Sequence, residues 1–156
     1  MYYSLTFKPD SNASHDRNTW DDWQLSPDSP PMIPFPELET VYVDIPGRVA
    51  GPLDLTGVAK PITYKRMTGS WTFMKDIQSK TDRETVFNTL RSFFSGKVMK
   101  VIRSDDDPNH YFIGRFVVSL PVATRNPLSI TISYDLEPLR YNLNGSVDSG
   151  WIYTQN

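Results

Sequence analysis

An alternation of apolar and polar residues near the end of the chain constrains the fold more than any other feature. Over residues 128–136 every second residue is large and apolar or aromatic, whereas the residues between them are serine, threonine or aspartate. Successive side chains of a β-strand point to opposite faces, so this run predicts a strand with one buried and one wet face. Sheets that are wet on one side are typically antiparallel, and we therefore expect an antiparallel β protein.

Three further segments predict strands by the same period, namely residues 38–45, 70–75 and 111–120. The side chains that each would place on one face are Val41, Val43 and Ile45; Trp71 and Phe73; and Phe112, Phe116, Val118 and Leu120. Gly114 interrupts the third run, and a glycine inside a strand marks a β-bulge or a close approach of neighbouring groups. Residues 97–103 are also expected to be extended.

One segment has a helical period instead. Its apolar residues recur at intervals of three and four, which predicts an amphipathic α-helix at about residues 82–95. Thr81 and Glu84 match a capping box, and Gly96 is a natural stop at the C-terminal end. The side chains expected to close an open side of the sheet are Val86, Phe87, Leu90, Phe93 and Phe94. The predicted fold class is mainly β, an antiparallel β-sandwich or barrel with one α-helix.

The proline-rich stretch at residues 27–36 excludes both a helix and a central strand. Proline fixes φ and donates no backbone hydrogen bond, so the stretch is a connector of extended geometry. Two interpretations stay open. It is either a surface loop or an arm laid across a neighbouring subunit, and the apolar Met32, Ile33 and Phe35 within it favour the arm.

Length and composition limit what the chain can do. Its 156 residues fit a single domain, and the absence of cysteine excludes disulfides, thiol catalysis and cysteine-based zinc sites. No apolar run is long enough to span a membrane, and the first residues lack the pattern of a signal peptide. We expect a soluble protein made in a cytoplasm.

The small net charge of −2 hides an uneven distribution. Residues 1–59 contain 3 basic and 9 acidic residues, residues 60–103 contain 10 and 3, and residues 104–156 contain 3 and 6. A basic middle block can bind nucleic acid, or it can meet the acidic block of another copy. Contacts between unlike surfaces of identical chains generate rings, and the overall acidity favours this second interpretation.

Candidate catalytic groups are few. His15 and His110 lack the spacing of metal ligands, and we interpret both as surface residues. The run Asp105-Asp106-Asp107 could hold a cation, but it lacks the alternating spacing of a calcium loop and favours a hairpin turn. Neither glycine pattern of a phosphate-binding loop occurs. We therefore expect no catalytic residue, no metal and no cofactor, and we do not expect an enzyme.

A nucleic-acid surface is the alternative within the binding class. Tyr64, Lys65, Arg66, Trp71 and Phe73 combine rings that could stack bases with cations that could follow phosphates. The alternating rings are more simply explained as core residues. The alternative function is thus a monomeric β-barrel that binds an oligonucleotide or an oligosaccharide.

An ordered set of short motifs resembles the ring-forming N-terminal domain of siphophage distal tail proteins. No single motif is specific, but together they cover roughly residues 18–140. The matching segments are residues 18–25, Asp44-Ile45-Pro46-Gly47-Arg48, Gly51-Pro52-Leu53-Asp54-Leu55, residues 66–73, 93–97, 106–108, 111–115 and 129–135, and Pro138.

This resemblance implies a structural subunit of a virion. Members of the family have a tail-tube-like β-sandwich with a helix and form a hexameric ring at the distal end of the phage tail. The implied partners are further copies of the chain, the tail tube protein, the tail tip or baseplate hub protein, and receptor-binding or side-fibre proteins. DNA passes through the lumen without specific binding, and no membrane is involved.

The resemblance also suggests a division of the chain. We expect a ring domain at residues 1–142 and a short C-terminal extension at residues 143–156, without the carbohydrate-binding module of longer family members. Both the proline stretch and the extension are candidates for contacts between subunits. The residues expected to shape or make contacts are Asp44, Pro46, Gly47, Gly51, Leu53, Asp54, Arg66, Gly69, Gly114 and Arg115. Arg66 and Arg115 could form ion pairs across the sheet or between copies, or remain solvated.

Overall fold

The computed structural model describes residues 3–58, 63–77, 79–119 and 128–148. Within these residues the chain forms one α-helix, α1 (Lys80–Phe94), and ten strands. The strands are β1 (Leu5–Lys8), β2 (Arg17–Asn18), β3 (Ser26–Pro27), β4 (Tyr42–Val43), β5 (Leu53–Asp54), β6 (Met67–Lys75), β7 (Val98–Arg103), β8 (Asp107–Ser119), β9 (Leu128–Leu136) and β10 (Tyr141–Asn142).

The strands form one large antiparallel sheet and one small one. The order in the large sheet is β2-β1-β7-β8-β9-β6-β3, with β10 paired to the first half of β8. The small sheet contains only β4 and β5. This mainly β, antiparallel architecture with a single helix in the described residues confirms the predicted fold class.

The period of two holds throughout β9 and in the second half of β8, but it breaks in β7, where the consecutive Val101 and Ile102 are both buried. Strand β9 lies between β6 and β8, and all of its apolar side chains are buried. Strands β6 and β8 turn Trp71, Phe73, Phe112 and Phe116 inward, as predicted. Leu120, the last residue of the predicted run in β8, lies outside the described residues.

Helix α1 closes the inner face of the sheet, as its apolar pattern predicts. Leu90 and Phe94 are buried, and Val86, Phe87 and Phe93 are partly buried against the core. The ring of Phe94 contacts Phe7 edge-on at 4.8 Å between ring centroids and lies 5.9 Å from Phe116. One side chain of the helix thus joins the first strand to the centre of the sheet.

The bounds of this helix agree with the prediction to within two residues, but the predicted capping box is wrong. The helix begins two residues earlier than the capping box implied, with Ser79 as the N-cap and no side-chain cap bond. Thr81 is therefore helical, and its carbonyl accepts a hydrogen bond from the Thr85 hydroxyl. At the other end Ser95 is left-handed, with φ of 38°, and Gly96 follows with φ of 67°. The glycine lies one residue beyond the C-cap, where its freedom at positive φ is needed.

The strand predicted at residues 38–45 is the main error of the sequence analysis. Only Tyr42–Val43 is a strand, and it pairs with β5 alone. Val41, Val43 and Ile45 are all exposed, because no layer of the described chain covers either face of this small sheet. Two-stranded ribbons of this kind have little stability of their own.

The proline stretch lies on the sheet of its own chain. Pro27 belongs to β3, an edge strand, where its missing N–H costs no ladder bond. Asp28 then donates its backbone N–H to the carbonyl of Thr72, and Ile33 is buried in the core. Met32 and Phe35 remain exposed.

Candidate interaction surfaces

The side hairpin, defined as residues 37–58, contains six of the predicted contact residues. Residues Ile45 to Arg48 form a tight turn in which the Arg48 N–H donates to the Ile45 carbonyl at 3.2 Å. Pro46 and Gly47 occupy its centre, and Gly47 has φ of 82°, which only glycine adopts without strain. This is the tight turn that the sequence predicted.

A second set of hydrogen bonds joins the two arms of the side hairpin. The Asp54 carboxylate accepts from the Thr56 N–H at 2.9 Å, and the Thr56 hydroxyl accepts from the Val41 N–H at 3.0 Å. Hydrogen bonds from Thr56 lower the pKa of the Asp54 carboxyl below its usual value. Gly51 has φ of 81°, and its carbonyl accepts from the Arg48 guanidinium. Asp44 is exposed and Leu53 half-buried.

No side chain of the side hairpin is buried. Val49 is fully exposed and Val58 is 73% exposed, and Phe35, just before the hairpin, is 72% exposed. The other large apolar side chains that it leaves in solvent are Leu38, Val41, Tyr42, Val43 and Ile45. A segment in which so many large apolar side chains are exposed is typical of a region that contacts another molecule.

The predicted contact residues outside the hairpin lie along the large sheet, and the two arginines among them meet at its outer face. Arg66 donates from Nε to an Asp135 carboxylate oxygen at 2.8 Å. Asp135 is also the cross-strand partner of Arg115, whose guanidinium donates to the Gly96 carbonyl. Arg66 thus forms an ion pair across the sheet, which was one of the predicted alternatives. The pair is half exposed, so its effect on stability is small.

Two glycines are required by close packing. A Cβ on Gly69 would lie 2.6 Å from Cζ of Tyr134, and a Cβ on Gly114 would lie 2.8 Å from Cα of Leu136. The ladder is regular on both sides of Gly114, so this residue marks a close approach and not a bulge. The register shift in β7 lies between Val101 and Arg103.

The outer face of the large sheet has two halves of different chemistry. On β6 and β9 it is lined by hydroxyl side chains, with little net charge because Arg66 is paired with Asp135. Those hydroxyl residues are Thr68, Ser70, Thr72, Ser129, Thr131 and Ser133. On β7, and on β8 from Arg115 to Val117, the exposed residues are basic and apolar. Together with Lys97, which directly precedes β7, they form what we call the basic strip, Lys97, Val98, Lys100, Arg115 and Val117.

An ion-pair network that the sequence analysis missed ties the C-terminal extension to β8. His110 Nδ1 lies 2.6 Å from an Asp107 oxygen, and its Nε2 lies 3.5 Å from Asp148. Arg140 forms ion pairs with both aspartates. Arg140 and Asp148 follow Asp107 and His110 by about thirty positions or more in the chain. The pairing of β10 with β8 brings the four side chains together.

Tyr141 adds a contact at the same place. Its ring stacks on Tyr111, and its hydroxyl donates to Glu137 at 2.9 Å. Burial, and then the hydrogen bond to Glu137, raise the pKa of the Tyr141 phenol to about 12. Residues 143–148 therefore fold back on their own chain, and residues 149–156 of the predicted extension lie outside the described residues.

The remaining candidate groups have structural partners. His15 and Asp10 form a surface pair, with 2.7 Å between Nδ1 and the carboxylate oxygen. The residues at 104–106 form the predicted hairpin turn, and the Asp105 carboxylate accepts from the N–H of Ser4. In the described part of the chain, no group of three or more histidine, aspartate or glutamate side chains could hold a metal ion. The same residues include no helix with the length and apolarity to cross a membrane.

The predicted stacking surface for nucleic acid does not exist in the proposed form. Trp71 and Phe73 are buried in the core, where their rings cannot stack on bases. A groove of about 430 Å³ lies between the proline stretch and β6. Trp71 lies at its side, but its indole N–H donates to the Met32 carbonyl and its ring stacks on Tyr134 at 4.4 Å.

Comparisons of the chain with protein-family models, with curated proteins and with solved structures found no match. The class that the fold defines is an antiparallel β protein with one helix in its described residues and an exposed apolar hairpin.

Proposed function

We propose that this chain is a non-catalytic structural subunit of a phage tail. It forms a hexameric ring that connects the tail tube to the tail tip or baseplate hub and lets DNA pass. The observation that carries the proposal is the side hairpin, whose large apolar side chains are exposed and are not covered by another layer of the described residues. Isolated ribbons are marginally stable in water, so a partner surface would stabilise this one.

The uneven charge supports a ring in particular. The first third of the sequence is acidic and the middle third basic, which would give one copy two unlike surfaces whose contacts repeat from copy to copy. When the rotation between copies closes, the product is a ring. The resemblance of the short motifs, in their order along the chain, to those of siphophage distal tail proteins leads us to expect a ring of six members at the distal end of the tail.

The hydroxyl-lined half of the outer face is suited to the passage of DNA. Serine and threonine side chains on β6 and β9 are uncharged, and the Arg66 charge is neutralised by Asp135. Tight binding of nucleic acid depends on cations that neutralise phosphates. A wall without free cations would let the duplex slide, and we propose that this half of the face lines the lumen.

Electron microscopy tests the proposal directly. Purified chain, alone and mixed with tail tube protein of the same virion, is imaged in negative stain. The expected result is annular particles with a central pore, at least in the mixture. Monomers in both samples, together with retention on an oligonucleotide or oligosaccharide column, would instead support the binding-module alternative.

A further inference from the structure

We infer that the side hairpin of one copy docks on the basic strip of the next copy. This inference rests on the proposed ring and names the two surfaces that form its interface. The occupant of the hairpin surface is thus a second copy of this chain, bound head to tail.

Charge complementarity identifies the strip as the receiving surface. The side hairpin contains four acidic residues, Glu37, Glu39, Asp44 and Asp54, and a single basic one, Arg48. The basic strip has three cations and no acidic residue. Opposite potentials of this kind orient two surfaces and exclude pairing of like with like.

The strip also offers apolar contacts. Val98 is 48% exposed and Val117 61% exposed, and they lie on neighbouring strands on either side of Arg115. Apolar side chains between cations match a hairpin whose exposed valines and isoleucine lie between carboxylates. Apolar contact at the centre with charges at the rim is the usual arrangement of a specific interface.

The cations of the strip leave their charge available to a partner. Lys100 lies over the Tyr111 ring at 4.7 Å, and Arg115 donates to a backbone carbonyl, so neither contact neutralises its charge. The Asp10 carboxylate also attracts the Lys97 charge electrostatically, but that carboxylate is hydrogen-bonded to the His15 ring and not to Lys97.

The two surfaces are distinct, so their contact is heterologous. The hairpin belongs to residues 37–58 and the strip to β7, β8 and the residue before β7. A copy that donates its hairpin keeps its own strip open for another hairpin. Repetition of the same contact from copy to copy gives either a closed ring or a filament, whereas a two-fold dimer forms only if two copies exchange their hairpins reciprocally.

Charge reversal on each side tests the docking. Glu37→Lys with Asp44→Lys changes the hairpin, because neither side chain holds the turn. Lys97→Glu with Lys100→Glu changes the strip. Under the conditions in which the wild type forms a ring, each double variant is expected to lose the ring mass in native mass spectrometry. A chain carrying all four substitutions is expected to recover it, since the pairing of charges is restored with the sign inverted.

A matched control reverses exposed acidic residues outside both surfaces. Asp76→Lys with Asp106→Lys makes the same change in net charge as the hairpin variant, and both residues are exposed. This control should assemble like the wild type. Thermal unfolding of every variant, measured on the monomer, separates loss of docking from loss of folding.

Cross-linking gives a second readout, because the chain contains no cysteine. A mixture of the Asp44→Cys and Lys97→Cys variants is treated with a short bis-maleimide and should give a dimer that neither variant gives alone. Replacing Lys97→Cys by Asp106→Cys should remove that product.

The outcomes separate the docking from the ring itself. If the wild type forms a ring that survives both charge reversals, the docking is wrong while the ring stands. If the hairpin reversal abolishes binding to the tail tube protein but not self-association, the hairpin has a different partner and the docking is also wrong. Failure of the wild type to form rings with any tail component would reject the proposed function.

Discussion

Two glycines on the inner face of the sheet differ in what lies opposite them. A Cβ on Gly114 would meet the backbone of Leu136 and Asp135, whereas a Cβ on Gly69 would meet the far end of the Tyr134 side chain. The backbone of Leu136 is paired with β8 on one side and β6 on the other, so it cannot shift without disturbing both ladders. The far end of a tyrosine side chain can move by a few tenths of an ångström. The same substitution should therefore have different costs at the two positions.

We predict that Gly114→Ala lowers the free energy of unfolding by about 3 kcal/mol, at the upper end of the usual cost of overpacking. Gly69→Ala should cost about 1 kcal/mol. The control Ser133→Ala, at an exposed position of the same sheet, should stay within about 0.5 kcal/mol of the wild type. Denaturant unfolding measures all three, and equal losses at the two glycines would contradict the geometry.

Tyr141 provides a prediction about pH. The folded pKa of its phenol is raised to about 12, whereas an unperturbed tyrosine titrates near 10. A raised pKa in an acid means that folding favours the neutral form, so this contribution to stability is complete below pH of about 10. It is lost as the pH rises towards 12.

The measurement is the difference in phenolate absorbance between the wild type and Tyr141→Phe. The difference should titrate near 12, and in Glu137→Gln it should move towards 10, because the acceptor loses its charge. A difference curve centred near 10 in the wild type would show that the stacked and hydrogen-bonded phenol is not formed.

Among the elements, alternation predicted correctly the strand that lies inside the large sheet and under a second layer. The alternation in β9 was sufficient because β6 and β8 pair with both of its edges and its inner face joins the core cluster that includes Leu90 and Phe94 of α1. The same kind of alternation at residues 38–45 led to a wrong prediction, because alternation indicates only how side chains divide between the two faces of a strand. It does not report whether a second layer covers either face.

Short elements were missed for a related reason. Strand β1 has four residues, of which Leu5 and Phe7 are buried, and two apolar residues are too few to establish a period. Trp23 and Leu25 enter the core from an irregular segment, where no period exists. Of the candidate contact residues, the turn at Pro46 and Gly47 was predictable from turn chemistry.

Helix α1 has one feature that the sequence predicts correctly and one that it does not. Its apolar face was predictable from spacing, but its first residue was not, since Thr81 and Glu84 satisfy the capping pattern without making the bonds. We predict that Thr81→Ala changes the free energy of unfolding by less than about 0.5 kcal/mol, whereas loss of a true cap costs about 1 kcal/mol.

Phe94→Ala is the contrasting change in the same helix. The ring is fully enclosed by Phe7, Trp23 and Phe116, so its removal should cost about 3–5 kcal/mol. Both helix variants are measured by denaturant unfolding. If Thr81→Ala lowers the free energy of unfolding by about 1 kcal/mol or more, Thr81 caps the helix after all and the structure is wrong at this point.

In the whole molecule, the large sheet with α1 and the side hairpin have different roles. We expect the large sheet and α1 to determine the stability of the monomer, and the side hairpin to determine its assembly. No hairpin side chain is buried, and the backbone bonds between residues 37–39 and 63–65 hold its base. We predict that replacing residues 41–56 by a short glycine–serine linker leaves the melting temperature of the monomer unchanged. Assembly with tail components should be abolished. A large fall in the melting temperature would show that the hairpin is part of the folding core.

The central claim is that copies of this chain associate through unlike surfaces into a closed ring. Native mass spectrometry of the wild type in dilute buffer of physiological salt, with and without its tail tube protein, measures this most directly. The account predicts a species of six chains of 17.9 kDa, at least when the tube protein is present, and no larger multiples. A monomer under both conditions, or a two-fold dimer, would contradict it.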